Sequence, residues 1–329
     1  MKNSGSCDLP AGPVIEPVPG NMGVDIKSVP AMAPIAVFAF KRPVHLRRTL
    51  ESLARNPEFT QSELHIFCDG ARRPDEEEAV AEAREIARGW PHPAKTVHVA
   101  ASNLGLAASV IAGVSALCAK HGRVIVVEDD LIVATVFLDF MNRCLEHYSA
   151  DQRVMQISGH MFPVEIRLAG GDVIFLPFTT SWGWATWSHA WARFDPQMAG
   201  YERLALDRYM RRAFNLQGAY PYFSMLKKQR SGAIDSWAIR WYLSVFFNSG
   251  IVVYPKRSLV GNEGFDGSGT NCAATDRLEN SKAVVSKIAP TKLVSAAIDS
   301  DNLKAVTNFL RSQNSLWLRA NRFIRRKMS

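Results

Sequence analysis

The chain has 329 residues, 47% hydrophobic and 21% charged, enough to bury a core in one large domain or two coupled lobes. Its net charge of +8 is concentrated in the last 19 residues, which from Arg311 hold six Lys/Arg and no acid, leaving only +2 elsewhere; a near-neutral body with a basic tail does not suit a nucleic-acid groove. No apolar run reaches the ~18 residues of a membrane span, residues 1–33 lack a secretory signal's apolar segment, and five scattered cysteines without a C-x-x-C pair argue against a disulfide framework or a zinc site, so a cytoplasmic protein is expected.

Residues 1–33, rich in proline and glycine without periodicity, read as a flexible leader. Ile35 to Phe40 predicts a strand, and Pro43 then opens a helix with Leu46, Leu50 and Leu53 on one face. Leu64 to Cys68 repeats the pattern, followed from Pro74 by a helix with an acidic first turn and a buried face of Ala79, Ala83 and Ile86. Thr96 to Val99, a helix carrying Leu106, Val110, Val114 and Leu117, and the apolar run Val124–Val127 complete a strand-helix alternation. This predicts an α/β fold, a mostly parallel Rossmann-like sheet flanked by helices, with its ligand crevice at the carboxyl ends of the strands. Cys118 and Cys144 fall on apolar helix faces as small core residues. A helix over 135–148, strands near Val154–Ser158 and Val173–Phe178, a Trp-rich stretch, helices between Tyr201 and Asn248 and a Gly-rich loop make a helix-rich second half. The expected organisation is a donor half over 34–150, an acceptor and catalytic half over 151–275, and an extension over 276–329.

Glu128-Asp129-Asp130 follow the buried strand directly, so three carboxylates emerge at the crevice. Crowded carboxylates repel unless a cation is present, and an all-oxygen set suits Mg²⁺ or Mn²⁺; a solvated acidic turn is the plain alternative. Asp69 beside Gly70 is either a turn cap or an acceptor for a nucleoside edge. Trp184, Trp187 and Trp191 at i, i+3, i+7 fit one buried helical face, whereas Trp182 and Gly183 fall outside it and offer a sugar a platform. Asp235 enters an apolar helix as an N-cap or first-turn acid.

VIVVEDDLIVATVFLDF resembles the metal-site segment of N-acetylglucosaminyltransferase I and its bacterial relatives, GT-A glycosyltransferases in which a Glu-Asp-Asp triplet replaces Asp-x-Asp. FAFKRPVHLRRTLESL and HIFCDG resemble that family's first strand-helix unit and second strand, and TSWGWATW a segment common in the bacterial relatives; the resemblance runs from Pro34 to about Cys272. It implies a GT-A fold and an inverting, metal-dependent transfer of a sugar from a UDP-sugar, with GlcNAc a candidate, to a hydroxyl of a glycan or lipid-linked acceptor in surface-polysaccharide assembly. It further implies Asp130 as the metal ligand, Glu128 and Asp129 on the donor's ribose or sugar, Arg42 near nucleotide and phosphates, Asp69 on uracil, and Asp235 as catalytic base. Trp182 and Trp184 are the candidate acceptor contacts. The Gly-rich loop after Gly261, with Asn262 and Ser268 as candidate donor contacts, resembles the family's lid; a plain surface loop is the alternative.

Residues 312–329, pairing Leu316, Ala320, Phe323 and Ile324 with basic residues, fit either an anionic membrane surface or a packed terminal helix. A nucleotidyltransferase is the rival enzyme class, but it needs a glycine-rich phosphate loop where Lys41-Arg42-Pro43 stand. A noncatalytic carbohydrate- or membrane-binding protein is the third reading.

Overall fold

The structure, a computed structural model, describes residues 32–168, 170–264 and 292–327, with backbone alone from 314 on. Most of the expected leader, the loop from 265 on with Ser268, and the side chains of the basic tail lie outside the described residues. Ala33 is already buried, its N–H donating to Asn142 Oδ1 at 2.8 Å.

β1 (Ile35–Ala39) is buried throughout. Pro43 begins α1 (Pro43–Ala54), where a missing N–H costs nothing, and the helix buries Leu46, Leu50 and Leu53 together with Thr49 and Ser52. β2 (Leu64–Cys68) is followed by a 3-10 turn, Pro74–Glu76, and by α2 (Glu77–Gly89). The buried face of α2 is Val80, Ala83 and Ala87 rather than Ala79, Ala83 and Ile86, because the 3-10 turn resets the helical phase. β3 (Lys95–Val99) precedes α3 (Leu106–His121), which ends on Gly122 in the left-handed region at φ 74°. β4 (Arg123–Glu128), β5 (Leu131–Val133) and α4 (Phe137–His147) follow, with Cys118 and Cys144 buried and free as expected.

The second half comprises β6 (Val154–Ser158), β7 (Val173–Leu176), β8 (Trp184–Trp187), α5 (Ser188–Trp191), α6 (Tyr201–Leu206), α7 (Arg208–Phe214), α8 (Tyr222–Arg230), α9 (Trp237–Phe247), β9 (Ile251–Pro255), β10 (Val260–Asn262) and α10 (Ser300–Lys327). The Trp-rich stretch is therefore a strand running into a single helical turn. Trp184 and Trp187 are buried in the sheet's core, which an i, i+3 spacing alone does not reveal.

One eight-stranded sheet, in the order β3-β2-β1-β4-β8-β6-β9-β7, crosses both halves. β1 to β4 are parallel, β8 is antiparallel to both its neighbours β4 and β6, β9 is parallel to β6, and β7 is antiparallel to β9. Six strands thus point one way, giving the mostly parallel, helix-flanked α/β architecture expected. A second, two-stranded ribbon pairs β5 antiparallel with β10, so that Leu131 lies opposite Asn262. This ribbon sets the segment after β10 against the carboxyl end of β4. Among the described residues no helix is long and apolar enough to cross a membrane.

Candidate active site

The triplet occupies the turn between β4 and β5, at the carboxyl ends of the central strands. Asp129 is the buried member, 3% exposed. Its N–H donates to Phe38 O (3.0 Å), its Oδ2 accepts from the Phe40 N–H (2.9 Å), its Oδ1 accepts from Arg42 Nη2 (2.5 Å), and its carbonyl accepts from Thr49 Oγ1 (2.8 Å). Asp129 therefore clamps the β1–α1 junction onto β4. Each carboxylate oxygen thus takes one hydrogen bond from the chain itself, so Asp129 has a structural task at this junction. Burial pushes its pKa up to about 6 against the pull of Arg42. Glu128 is pushed up to about 8 by burial and then by Asp130 and Asp129, although Trp237 donates a hydrogen bond to it.

Asp130 is the member left with capacity. Its Oδ2 accepts from Arg42 Nη2 at 3.0 Å, whereas its buried Oδ1 has no hydrogen-bond partner among the described residues. Arg42, at the N-cap of α1, bridges Asp129 and Asp130, yet its buried Nη1 also lacks a partner. Its own pKa is depressed by burial and raised more strongly by the two carboxylates, with the net effect upward. An acceptor oxygen without a donor and a cationic N–H without an acceptor, sharing one ion pair, fit a divalent cation on the first and an anionic oxygen on the second.

The ribbon closes over this pair. The Glu263 N–H donates to Asp130 O (2.8 Å), and the Gly264 N–H donates to Asn262 Oδ1 (2.7 Å). A Cβ on Gly264 would stand 2.1 Å from Asp130 Oδ2 and 3.1 Å from Arg42 Nη1, so any larger residue displaces the Asp130 carboxylate. Asn262, the candidate donor contact, lies opposite Leu131 beside the triplet, with its carbonyl oxygen occupied in holding the Gly264 backbone.

Asp69, at the end of β2, is 7% exposed and receives four donors: Gly70 N–H and Leu104 N–H on Oδ1, Gly105 N–H and Asn103 Nδ2 on Oδ2, at 2.7–3.1 Å. All four in-plane acceptor positions are filled, so of the two readings the geometry matches the turn cap, extended here to pin the loop before α3. Burial keeps Trp184 from any acceptor. It is fully buried and stacks on Trp237 at 4.9 Å, which corrects its assignment as a contact residue. Trp182 is half-buried, its ring 4.5 Å edge-on from His160. Asp235 sits in the loop before α9, exposed and ion-paired with Arg240 at 2.8 Å; the N-cap itself is Ser236. Trp237, two residues on, hydrogen-bonds Glu128 and so ties this loop to the triplet. A Cβ on Gly105, at φ +81°, would be 4.0 Å from Asp235 Oδ2.

Thr49 escaped the sequence reading, Gly264 is expected only as part of the Gly-rich loop, and Trp237 only as the residue that follows the candidate base. The first had a visible signal, a threonine within the Leu46-Leu50-Leu53 stripe, while the others act through contacts between distant segments. A cavity of about 390 Å³ between α2 and the ends of β2 and β3 shares Gly70 with the Asp69 turn but includes none of the triplet.

Neither a protein-family model nor a curated protein sequence matches the chain. Among solved structures it is similar to a mannosyltransferase, PcManGT from Pyrobaculum calidifontis in complex with GDP-Man and Mn²⁺, at 14% identity over 68% of this chain and 74% of that one, with a TM-score of 0.36. A likeness so distant leaves the donor and the metal of this chain to its own residues.

Proposed function

We propose that the protein is a metal-dependent glycosyltransferase that moves a sugar from a nucleoside-diphosphate donor to an acceptor hydroxyl. The observation that carries this reading is the pair of buried atoms, Asp130 Oδ1 and Arg42 Nη1, that lack a partner among the described residues at the carboxyl edge of the sheet. Asp130 would hold Mn²⁺ or Mg²⁺, which when bound neutralises charge on the departing diphosphate. Arg42 supplies an N–H to a phosphate oxygen. Asp235 takes the proton of the acceptor hydroxyl as its oxygen bonds to the anomeric carbon and the bond from that carbon to the diphosphate breaks, a single displacement with inversion. The UDP identity rests on the sequence resemblance, since the Asp69 carboxylate is occupied by the chain. A glycan or lipid-linked acceptor, and a membrane-surface role for residues 312–329, belong to the same reading.

Calorimetric titration of UDP and GDP with and without Mn²⁺ tests it. Nucleoside diphosphate should bind only with metal in the parent, and Asp130→Asn should abolish that binding with Tm retained. Parental, Mn²⁺-dependent binding in the variant would show the metal assignment to be wrong, and a response to GDP alone would move the donor from UDP to GDP.

A further inference from the structure

Across the sheet from the crevice, at the amino ends of the strands, Glu63, His65 and His121 come together. Glu63 precedes β2, His65 is its second residue, and His121 closes α3. Four residues of extended chain, about 13 Å, separate His65 from Asp69 at the other end of the strand, so this cluster is distinct from the triplet's site. His65 Nε2 lies 3.3 Å and His121 Nε2 3.7 Å from Glu63 Oε2, and one ligand atom from each residue falls within 4.8 Å of the others.

Two features favour a ligand here over an ordinary ion-pair cluster. His121 Nε2 is buried and has no hydrogen-bond partner among the described residues, although it points toward Glu63. His65, with 6% of its side chain exposed, has its other ring nitrogen, Nδ1, 3.1 Å from His98 Nε2 on the neighbouring strand β3. In the metal-free protein His65 Nε2 is within hydrogen-bond distance of Glu63 Oε2, at 3.3 Å; for a metal to take the Nε2 lone pair, His65 carries its proton on Nδ1 and donates it to His98. This is the outer partner that fixes a metal-ligating histidine in its tautomer.

We propose that Glu63, His65 and His121 form a second metal site, for a borderline transition-metal dication of the Zn²⁺ class. Two imidazoles and one carboxylate are a donor set suited to zinc and poorly suited to Mg²⁺, the reverse of the oxygen-only triplet. Ligand atoms around tetrahedral zinc stand about 3.3 Å apart. The Glu63–His65 separation already has that value; His121 Nε2 is a few tenths of an ångström farther from Glu63 and lies within 4.8 Å of the His65 ligand atom, so its ring, at the end of its helix and 17% exposed, must turn inward to complete the set. The fourth position is left to water. Lys120 Nζ, 3.4 Å from Glu63 Oε2, is the cation that the metal must displace. Because Glu63 and His65 belong to the start of β2 and His121 to the end of α3, a bound metal fastens helix to sheet where no covalent link does.

The test is a zinc titration of the untagged full chain in an Asp130→Asn background, so that the triplet contributes no metal heat. One equivalent of Zn²⁺ should bind and raise Tm by about 5 °C at a hundredfold excess over Kd. Both effects should vanish on adding His121→Asn, and on adding Glu63→Gln, a change at a largely exposed side chain that guards against misfolding as the cause. Cobalt substitution should give the intense d–d absorption of a low-coordinate site, lost in the same variants. Zinc binding unchanged by His121→Asn and Glu63→Gln, or no zinc binding in the Asp130→Asn chain, would overturn the proposal. None of these readouts involves nucleotide, so the outcome is independent of the glycosyltransferase reading.

Discussion

Within the triplet the three acids have separate tasks. Asp129 joins β1, α1 and β4, Glu128 is held by Trp237, and Asp130 keeps a buried oxygen without a donor among the described residues. Gly264 is the steric counterpart of Asp130, because a methyl group placed 2.1 Å from Oδ2 forces the carboxylate aside. Gly264→Ala should accordingly weaken metal-supported nucleotide binding by roughly tenfold while changing Tm little, measured by calorimetry and thermal melting. If affinity stays at the parental level, the ribbon does not constrain the metal ligand. Asp235 makes a different prediction. Asp235→Asn should leave donor and metal binding near normal and cut transfer by at least ~100-fold, since it removes one proton acceptor and nothing else. Near-parental turnover, or a product that retains the donor's anomeric configuration, would remove Asp235 as base. Loss of nucleotide binding would make it part of the donor site.

At the level of elements, the central strands carry buried polar groups whose protonation sets how stability varies with pH. His160, 8% exposed after β6, has its pKa pushed down to about 3 by burial, from about 6.5 in an unfolded chain. Below pH 6.5 the unfolded chain therefore takes up a proton that the native fold refuses. The stability tied to His160 is whole above that pH and is lost as pH falls toward 3, by up to about 1.4 kcal/mol per unit. Glu128 acts in the opposite sense, since its folded pKa near 8 stabilises the metal-free protein at low pH and loses that effect as pH rises through the range from 4.5 to 8. Denaturant melts of parent and His160→Gln between pH 4 and 7 isolate the first contribution: the variant should lose less stability on acidification, and parallel pH profiles would refute the assignment. Trp184, on β8, is a core residue in the same sense. Trp184→Ala should cost about 3–5 kcal/mol of stability. A variant with parental stability but a raised acceptor KM would restore it to the acceptor site.

Taken whole, the molecule was readable from its sequence where local pattern and topology agree. Apolar runs such as Val124–Val127 located β1 to β4, and the stripes after them α1 and α3, within a residue or two, whereas a 3-10 turn at Pro74 delays α2 to Glu77; parallel order placed Arg42 and Asp130 at neighbouring strand ends. What escaped reading depends on chain segments far apart. β5 and β10 are three residues each and exist only because they pair across more than a hundred positions. The donors that saturate Asp69 are mostly backbone N–H groups, which no residue type announces. Aromatic spacing of three read as one helical face, but Trp184 and Trp187 lie on a strand, where that spacing sends them to opposite faces and both are buried. The basic tail remains a question of the entire chain. Removing residues 312–329 should reduce co-sedimentation with anionic vesicles, and unchanged co-sedimentation would assign α10 to packing alone.

Trp237 has one further consequence. Its indole hydrogen-bonds Glu128 and stacks on Trp184, which in turn lies 5.9 Å from Trp191, itself 5.0 Å from Trp241. Rings at such separations share excitation energy, so emission from the cluster drains toward whichever indole is lowest in energy. The one attached to the triplet is directly exposed to any change in local charge there. The protein thus carries an intrinsic optical gauge of its own carboxylates, and the colour and intensity of its ultraviolet fluorescence should follow occupancy of the site without any label.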